Sequence, residues 1–358
     1  MKIVFRVDAS VAIGTGHVMR CLALAETLAS NGAEVSFISR NHQGNLNSCI
    51  IAKNFKTFEL PISLHQQSFD EINHYSNWLG SAWQHDADET TAILKQISAD
   101  YIIVDHYALD SRWEKMIQKY CKNIVVIDDL ANRDHDCHIL IDQTIGRVKK
   151  DYTNLVPVSC SLLLGVDYAL LRREFAIWRD YSLSRRHSPA LKNILVSLGG
   201  VDKNNITVEI MEALDKLNLP IDMLTIVMGK HAPHTSAVAN LSKKMSFKTT
   251  ILIGVENMAE LMAKSDLVIG AAGSSSWERS CLGVPSIALV IADNQQNLGE
   301  QLSINNMAMV LSPPINHNMG KIFAELNNDK LKDLSSYPSK IVDGRGCERV
   351  VNKLFELR

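Results

Sequence analysis

The first forty residues limit the fold more than any later part of this chain. Ile3 to Val7 is a short run of β-branched and aromatic residues and reads as a buried strand. Arg20 to Ala29 carries apolar residues at helical spacing, namely Cys21, Leu24, Ala25 and Leu28. Asn31-Gly32 ends that helix, and Ala33 to Ser39 gives a second strand. A β-α-β start of this kind makes a parallel sheet the natural expectation. The loop between the first strand and the helix reads Gly14-Thr15-Gly16-His17. Gly14 and Gly16 admit positive φ and let a ligand approach the backbone. His17 falls at or just inside the helix N-terminus. The positive end of the helix dipole disfavours imidazolium there, so the ring is expected to be neutral at pH 7 and able to accept a proton. A lone histidine more often caps or packs. Its place at the carboxyl end of a strand, where ligands bind in open α/β sheets, favours a chemical role.

A dinucleotide-binding domain is the obvious rival and fits poorly. The loop lacks the G-x-G-x-x-G spacing, and the second strand ends near Arg40 instead of the acidic residue that would hold a ribose. The chain of 358 residues has room for two domains, and 46% hydrophobic with 21% charged residues fits sizeable cores. A net charge of -2 and a pI near 6.6 give no nucleic-acid footprint. Arg172-Arg173 and Arg185-Arg186 read as solvated pairs. No apolar run approaches the ~18 residues of a membrane span, and the N-terminus enters a strand without a signal-peptide layout. Seven scattered cysteines without a C-x-x-C pair suggest free thiols and a cytoplasmic location.

Further along, Asn41 to Gly80 is weakly patterned and is expected to hold a helix, a short strand near Thr57 to Leu60 and a loop. Asp86 to Ser98 reads as a helix. Tyr101 to Val104 is a buried strand ending in Asp105-His106-Tyr107, and Ile124 to Ile127 ends in Asp128-Asp129. Residues after parallel strands line the crevice where a ligand sits. Tyr107 is the best candidate among them, because a phenol packs on a sugar and also hydrogen-bonds to it. Asp134-His135-Asp136-Cys137-His138 looks like a metal cluster, but alternate side chains of an extended segment diverge, and no second cluster follows. No metal is expected. A helix from Asp167 to Tyr181 and a linker from Ser182 to Ala190 separate a first domain, 1–181, from a second, 190–358.

The second domain begins with a strand, Asn193 to Leu198, a turn at Gly199-Gly200 and a helix, Asn205 to Leu217. Its chemical stretch runs from Asp266 through Gly270, Gly273, Ser274, Ser275 and Ser276 to Trp277-Glu278. Backbone N–H groups and serine hydroxyls after a strand suit a diphosphate, and Glu278 could accept bonds from both hydroxyls of a ribose. Serine caps and first-turn glutamates are also common without any ligand. Val284 to Ile291 is a strand leading to Asn294-Gln295, whose amides suit sugar hydroxyls and acetamido groups. The rest is expected to be helical, with one loop near Pro313-Pro314.

Two β-α domains, one with a histidine loop and one with a phosphate-type loop, resemble the GT-B architecture: α/β, two Rossmann-like β/α/β domains facing across a cleft. Arg6-x-Asp8-x-Ser10, Ile13-Gly14-x-Gly16-His17 and Arg20-Cys21 resemble the signature of the UDP-2,4-diacetamido-2,4,6-trideoxy-β-L-altropyranose hydrolases of pseudaminic acid biosynthesis. Asp105-His106-Tyr107, Asp128-Asp129, the stretch Leu164 to Phe175, Leu198 to Asp202, Gly273 to Glu278 and Asn294-Gln295 are similar in kind and order. The resemblance implies hydrolysis of a UDP-sugar to UDP and free sugar. His17 would be the base. Asp8, Gly14, Gly16, Arg20, Tyr107, Asn294 and Gln295 would lie toward the substrate, and Gly199, Gly200, Gly273, Ser274, Ser275 and Glu278 toward UDP. It implies no cofactor and no obligate protein partner. A GT-B glycosyltransferase using a UDP-sugar is the alternative. Relative to that family pattern the chain carries extra residues between Asn41 and Ala99 and near its C-terminus.

Overall fold

The computed structural model describes residues 1–63, 73–230 and 232–356, with Asn294 described by its backbone alone. The chain forms two compact units, each an α/β layer structure around one parallel sheet.

The first unit comprises residues 1–170 and 346–358. Its strands are β1 (Lys2–Val7), β2 (Glu34–Arg40), β3 (Lys56–Leu60), β4 (Ala99–Asp105), β5 (Cys121–Ile127), β6 (Ile139–Asp142) and β7 (Ser161–Leu164), in the spatial order β3-β2-β1-β4-β5-β6-β7. Every pairing is parallel. The order reverses between β1 and β4, where Val7 lies beside Asp105. That junction is the topological switch point at which α/β sheets bind ligands. The helix α1 (Gly16–Ser30) follows β1 and buries Cys21, Leu24, Ala25 and Leu28 completely. These are the residues whose spacing predicts it, and burial of each leucine contributes about 1.5–3 kcal/mol.

The second unit spans 171–345. Its strands are β8 (Asn193–Ser197), β9 (Met223–Met228), β10 (Thr249–Ile253), β11 (Leu267–Ala271), β12 (Ser286–Leu289) and β13 (Met309–Leu311), in the order β10-β9-β8-β11-β12-β13 and again parallel. Its switch point lies between β8 and β11, with Ser197 beside Gly270.

The unit boundaries differ from 1–181 and 190–358 at both ends. The final helix, Gly346–Glu356, belongs to the first unit. Its apolar face places Cys347, Val350, Val351 and Leu354 in the core with Ile3, Leu24 and Tyr101, and Tyr101 donates its hydroxyl to the Leu354 carbonyl at 3.0 Å. The expected helix from Asp167 is instead a short 3-10 turn, Val166–Tyr168, followed by the helix Arg173–Arg185. That helix extends into the expected linker as far as Arg185 because its last turn is tied into the second unit. Ser182 donates to the Leu282 carbonyl, and Arg185 and Arg186 bond the carbonyls of Ala263 and Ser265. The Arg185-Arg186 pair is therefore a helix-capping device, not a solvated face. The sequence pattern does not predict strands β6, β7 and β13. Each has only three or four residues, too few to show a period.

Candidate active site

The switch point of the first unit holds a closed network of charged and aromatic side chains. Only one of the two glycines in its loop uses left-handed backbone: Gly14 has φ +81°, whereas Gly16 is the first residue of α1. Ser10 turns the loop by accepting the N–H groups of Ala12 and Ile13 on Oγ, while Gly14 donates back to the Ser10 carbonyl. A Cβ on Gly14 would meet nothing within 4 Å, so the constraint there is conformational and the space beside it is open.

His17, Arg20 and Cys21 stand at positions i, i+3 and i+4 of α1 and so share one face of it. That face meets Asp105 at the end of β4. His17 Nδ1 is 2.6 Å from Asp105 Oδ1. Arg20 donates to both carboxylate oxygens at 2.7 Å, and the Cys21 thiol lies 3.4 Å from Oδ2. Burial alone would raise the Asp105 carboxyl, but Arg20, with His17, holds it far below the usual carboxylate range. An ionised Asp105 can only accept, so the neutral form of the ring carries its hydrogen on Nδ1 and keeps its lone pair on Nε2. The environment of His17 therefore contains a carboxylate as well as the helix terminus on which the sequence argument rests.

The network continues outward. Arg20 Nη1 donates to Asp129 at 2.7 Å, and Asp129 accepts a short bond from the Tyr107 hydroxyl. Burial, then Asp129, pushes the Tyr107 phenol well above its ordinary range, so it is a donor at neutral pH. The Tyr107 ring meets His17 edge-on at 4.6 Å, with the Arg133 guanidinium over it at 5.5 Å. Arg133 in turn pairs with Asp128 at 2.9 Å.

Asp8 takes a different place from the one expected. It is fully buried, with Oδ1 accepting from Arg6 at 2.6 Å and from the Arg40 N–H at 2.7 Å. Arg6 and Arg40 both bond Asp86, and Trp113 adds its indole N–H at 3.0 Å. Asp8 thus anchors a buried ion cluster between the ends of β1 and β2 and presents no atom to a substrate. His42 and His106 turn Nε2 toward Asp8 Oδ2 at 3.6 and 3.3 Å. His106 Nδ1 accepts the Ala108 N–H, which leaves its proton on Nε2 and that nitrogen unable to ligate a metal. Three side chains of the Asp134–His138 segment turn to separate partners: His135 to Glu114 at 2.7 Å, Cys137 to Cys160 at 3.7 Å, and His138 to the Ile124 N–H. Among the described residues no group of three or more potential ligands is arranged to hold a metal.

In the second unit the two glycine loops follow β8 and β11, the strands of its switch point. Gly199 has φ +87°, and the carbonyl of Gly200 lies so close to Gly229 that a Cβ there would approach within 1.9 Å. The amides at the start of the helix Ile206–Lys216 are occupied by Asp202, which accepts from Ile206 and Thr207 at 2.9 Å. The loop after β11 is arranged around Arg279, a residue the sequence reading did not single out. Its guanidinium is buried and donates to Ser275 Oγ at 2.9 Å, Ser276 Oγ at 2.8 Å and the Ala271 carbonyl at 3.0 Å. Gly270 makes this possible, because a Cβ there would meet Arg279 Nη1 at 2.6 Å. Burial draws Arg279 down to about 10, with Glu278 opposing. A hydroxyl that accepts from a guanidinium keeps its own hydrogen for another acceptor, so Ser275 and Ser276 are set as donors. Gly273 has open space beside its α-carbon. The Glu278 side chain is one-fifth exposed; burial pushes its carboxyl upward, with Arg172 at 3.7 Å pulling the other way. Gln295 gives its carbonyl to the Ile291 N–H at 3.0 Å, a loop cap. The side chain of Asn294 lies outside the described structure.

No protein-family model matches the chain. In sequence it is related to a protein of Campylobacter jejuni named UDP-2,4-diacetamido-2,4,6-trideoxy-beta-L-altropyranose hydrolase, 25% identical over 303 residues, which cover 85% of this chain and 96% of the relative. An uncharacterized protein of Methanocaldococcus jannaschii is 28% identical over 296 residues, 81% of this chain; the match spans about half, 55%, of that longer protein. In structure the chain is similar to MurG of Acinetobacter baumannii, with a TM-score of 0.68 at 16% identity over 99% of both chains. The sequence resemblance to the hydrolases therefore stands, and the fold is α/β of the GT-B type.

Proposed function

We propose that this chain hydrolyses the sugar–phosphate bond of UDP-2,4-diacetamido-2,4,6-trideoxy-β-L-altropyranose, releasing UDP and the free 2,4-diacetamido-2,4,6-trideoxy-L-altrose, a step of pseudaminic acid biosynthesis. The observation that carries the reading is the His17–Asp105 pair at the carboxyl ends of β1 and β4, in a chain related to a hydrolase of that name. In this reading the second unit holds UDP. Ser274 and Ser275 donate to the diphosphate, the buried Arg279 supplies positive charge behind them, Gly199, Gly200 and Gly273 leave room for it, and Glu278 accepts from the ribose.

His17 Nε2 then takes a proton from water. The water oxygen bonds to the anomeric carbon while the carbon–oxygen bond to UDP breaks, and that electron pair leaves on the diphosphate. Attack opposite the leaving group inverts the anomeric centre. Asp105 stabilises the imidazolium as it forms and keeps the ring in the tautomer that acts as base, the arrangement familiar from hydrolytic triads. Ordinary glycosidases need a second carboxyl as general acid. A nucleoside diphosphate is a good leaving group and needs only charge stabilisation, so the scheme calls for neither a carboxylate pair nor a cofactor. Tyr107, Gly14, Gly16, Asn294 and Gln295 are proposed to line the sugar; Arg20 acts through Asp105.

A glycosyltransferase is the second reading, favoured by the likeness in fold to WaaG, a glycosyltransferase involved in lipopolysaccharide biosynthesis, with a TM-score of 0.54. His17 would then deprotonate an acceptor hydroxyl. Proton NMR of the UDP-sugar with enzyme and no acceptor separates the two. Stoichiometric release of UDP and free sugar supports hydrolysis, whereas an unchanged UDP-sugar supports transfer.

A further inference from the structure

The stretch ahead of the helix Trp83–Ile97 carries little sequence pattern, yet it builds an ordered aromatic group beside His17. Asn73 is buried, donates to the Tyr107 carbonyl at 3.0 Å and accepts the Tyr75 N–H at 2.9 Å. A single 3-10 turn, Ser76–Trp78, follows. Gly80, at φ +67°, then returns the chain so closely over His42 that a Cβ would meet its Cε1 at 2.6 Å. The turn is thus fixed at both ends, and its two aromatic rings converge on Tyr107. Trp78 stacks with Tyr107 at 5.7 Å and 29°, Tyr75 approaches it at 5.1 Å and 57°, and Tyr75 meets Trp78 edge-on at 4.9 Å. Tyr107 itself is buried and touches His17, whereas Tyr75 and Trp78 are only half-buried.

We propose that Tyr75 and Trp78, backed by the buried Tyr107, form a stacking surface that recognises the apolar face of the hexose, including the methyl group of a 6-deoxy sugar. This rests on the hydrolase reading and names what that site selects. Two half-buried aromatic rings packed on Tyr107, the neighbour of the base, offer a C–H-binding surface with polar tips at its margin, the combination that suits a pyranose carrying both methyl and amide groups. A sugar bearing a hydroxyl at C6 would have to desolvate it against that surface. Apolar walls discriminate against an added hydroxyl by about 10²-fold at most, so this is the size of preference expected.

The test compares wild type, Trp78→Ala, Trp78→Phe and Tyr75→Leu on the 6-deoxy diacetamido UDP-sugar and on UDP-N-acetylglucosamine, with calorimetric UDP affinity in parallel. Loss of stacking should lower kcat/KM for the 6-deoxy sugar about 10–100-fold in Trp78→Ala. UDP affinity should not change, the preference between the two sugars should collapse, and Trp78→Phe should restore most of it. Wild-type turnover with an unaltered preference in Trp78→Ala and Tyr75→Leu would overturn the inference alone. Absence of turnover in wild type would overturn the hydrolase reading. In that case saturation-transfer NMR on the wild-type protein with bound UDP-sugar decides the inference separately: strong transfer to the sugar methyl supports it, and transfer confined to the uridine overturns it. The same NMR measurement applies if the alanine variant does not fold.

Discussion

His17 Nδ1 and Asp105 Oδ1 stand 2.6 Å apart, and Arg20, one turn further along α1, grips the same carboxylate through two nitrogens. The pair joins the first helix of the sheet to the end of its neighbouring central strand. It converts a histidine at a helix terminus into one with an assigned tautomer and a fixed direction for Nε2.

Replacing Asp105 by Asn removes the negative charge and allows the amide to donate to Nδ1, which reverses the tautomer. Turnover should fall about 10²–10⁴-fold, the usual contribution of a positioned base, with UDP affinity retained. Removing one member of a buried ion pair should also cost about 3–5 kcal/mol of stability, because Arg20 loses its main partner. Steady-state kinetics at a temperature where circular dichroism shows the variant folded checks the first effect, and urea titration the second. An active Asp105→Asn enzyme would remove the dyad from the mechanism.

Arg279 donates to two hydroxyls and a carbonyl of the loop after β11, and burial lowers its affinity for its proton. A bound diphosphate would supply the compensating charge. Arg279→Gln keeps a donor of similar shape and loses the charge. UDP affinity by calorimetry should drop about 10–100-fold, the worth of one charge-assisted interaction, while the affinity for uridine without phosphate should hardly move. Equal losses for both ligands would mean that Arg279 only supports the loop.

Acid stability gives a prediction independent of any ligand. Burial alone would raise the Asp128 carboxyl, but the Arg133 guanidinium, together with His135, the Ala131 N–H and the Tyr152 hydroxyl, outweighs it and brings it down to about 2. A folded pKa below the unfolded value stabilises above the unfolded value, near 4, and that contribution is lost as pH falls toward 2. Its size at neutral pH is about 2 kcal/mol. Urea midpoints for wild type and Asp128→Asn should therefore differ from pH 7 down to about 5 and converge toward pH 2. A difference that stays constant over that range would assign the loss to shape and not to charge.

Much of this arrangement was legible in the residues. The apolar runs from Ile3 to Val7 and from Ile124 to Ile127, and the helical spacing of Cys21, Leu24, Ala25 and Leu28, mark the middle of the first sheet, and the runs from Asn193 to Leu198 and from Val284 to Ile291 mark strands of the second. The loops holding His17 and Ser275 followed from their glycines. The His17 partner was less accessible, because it comes from a strand some ninety residues away. The i, i+3, i+4 spacing of His17, Arg20 and Cys21 does announce a polar helix face that must meet something, and Asp105 ends the strand that pairs with β1. Asp8 misled for a physical reason: an acidic residue after a first strand can face the ligand or anchor the neighbouring strand, and buried Arg6 and Arg40 decide for the second. Arg279 carries no mark in the sequence; only the fold shows the space that Gly270 leaves for its guanidinium. Tyr75 and Trp78 acquire meaning only through Tyr107, which no local pattern supplies.

Isotope tracing of the attacking water tests the central claim most directly. The diacetamido UDP-sugar is turned over in [18O]water, and the UDP released is analysed by mass spectrometry at early times. Attack of a His17-activated water on the anomeric carbon predicts unlabelled UDP from the wild-type enzyme, with the rate of release down about 10²–10⁴-fold in His17→Ala. UDP carrying 18O would place the attack on phosphorus, and undiminished release by His17→Ala would take the base away from this residue; either result contradicts the account.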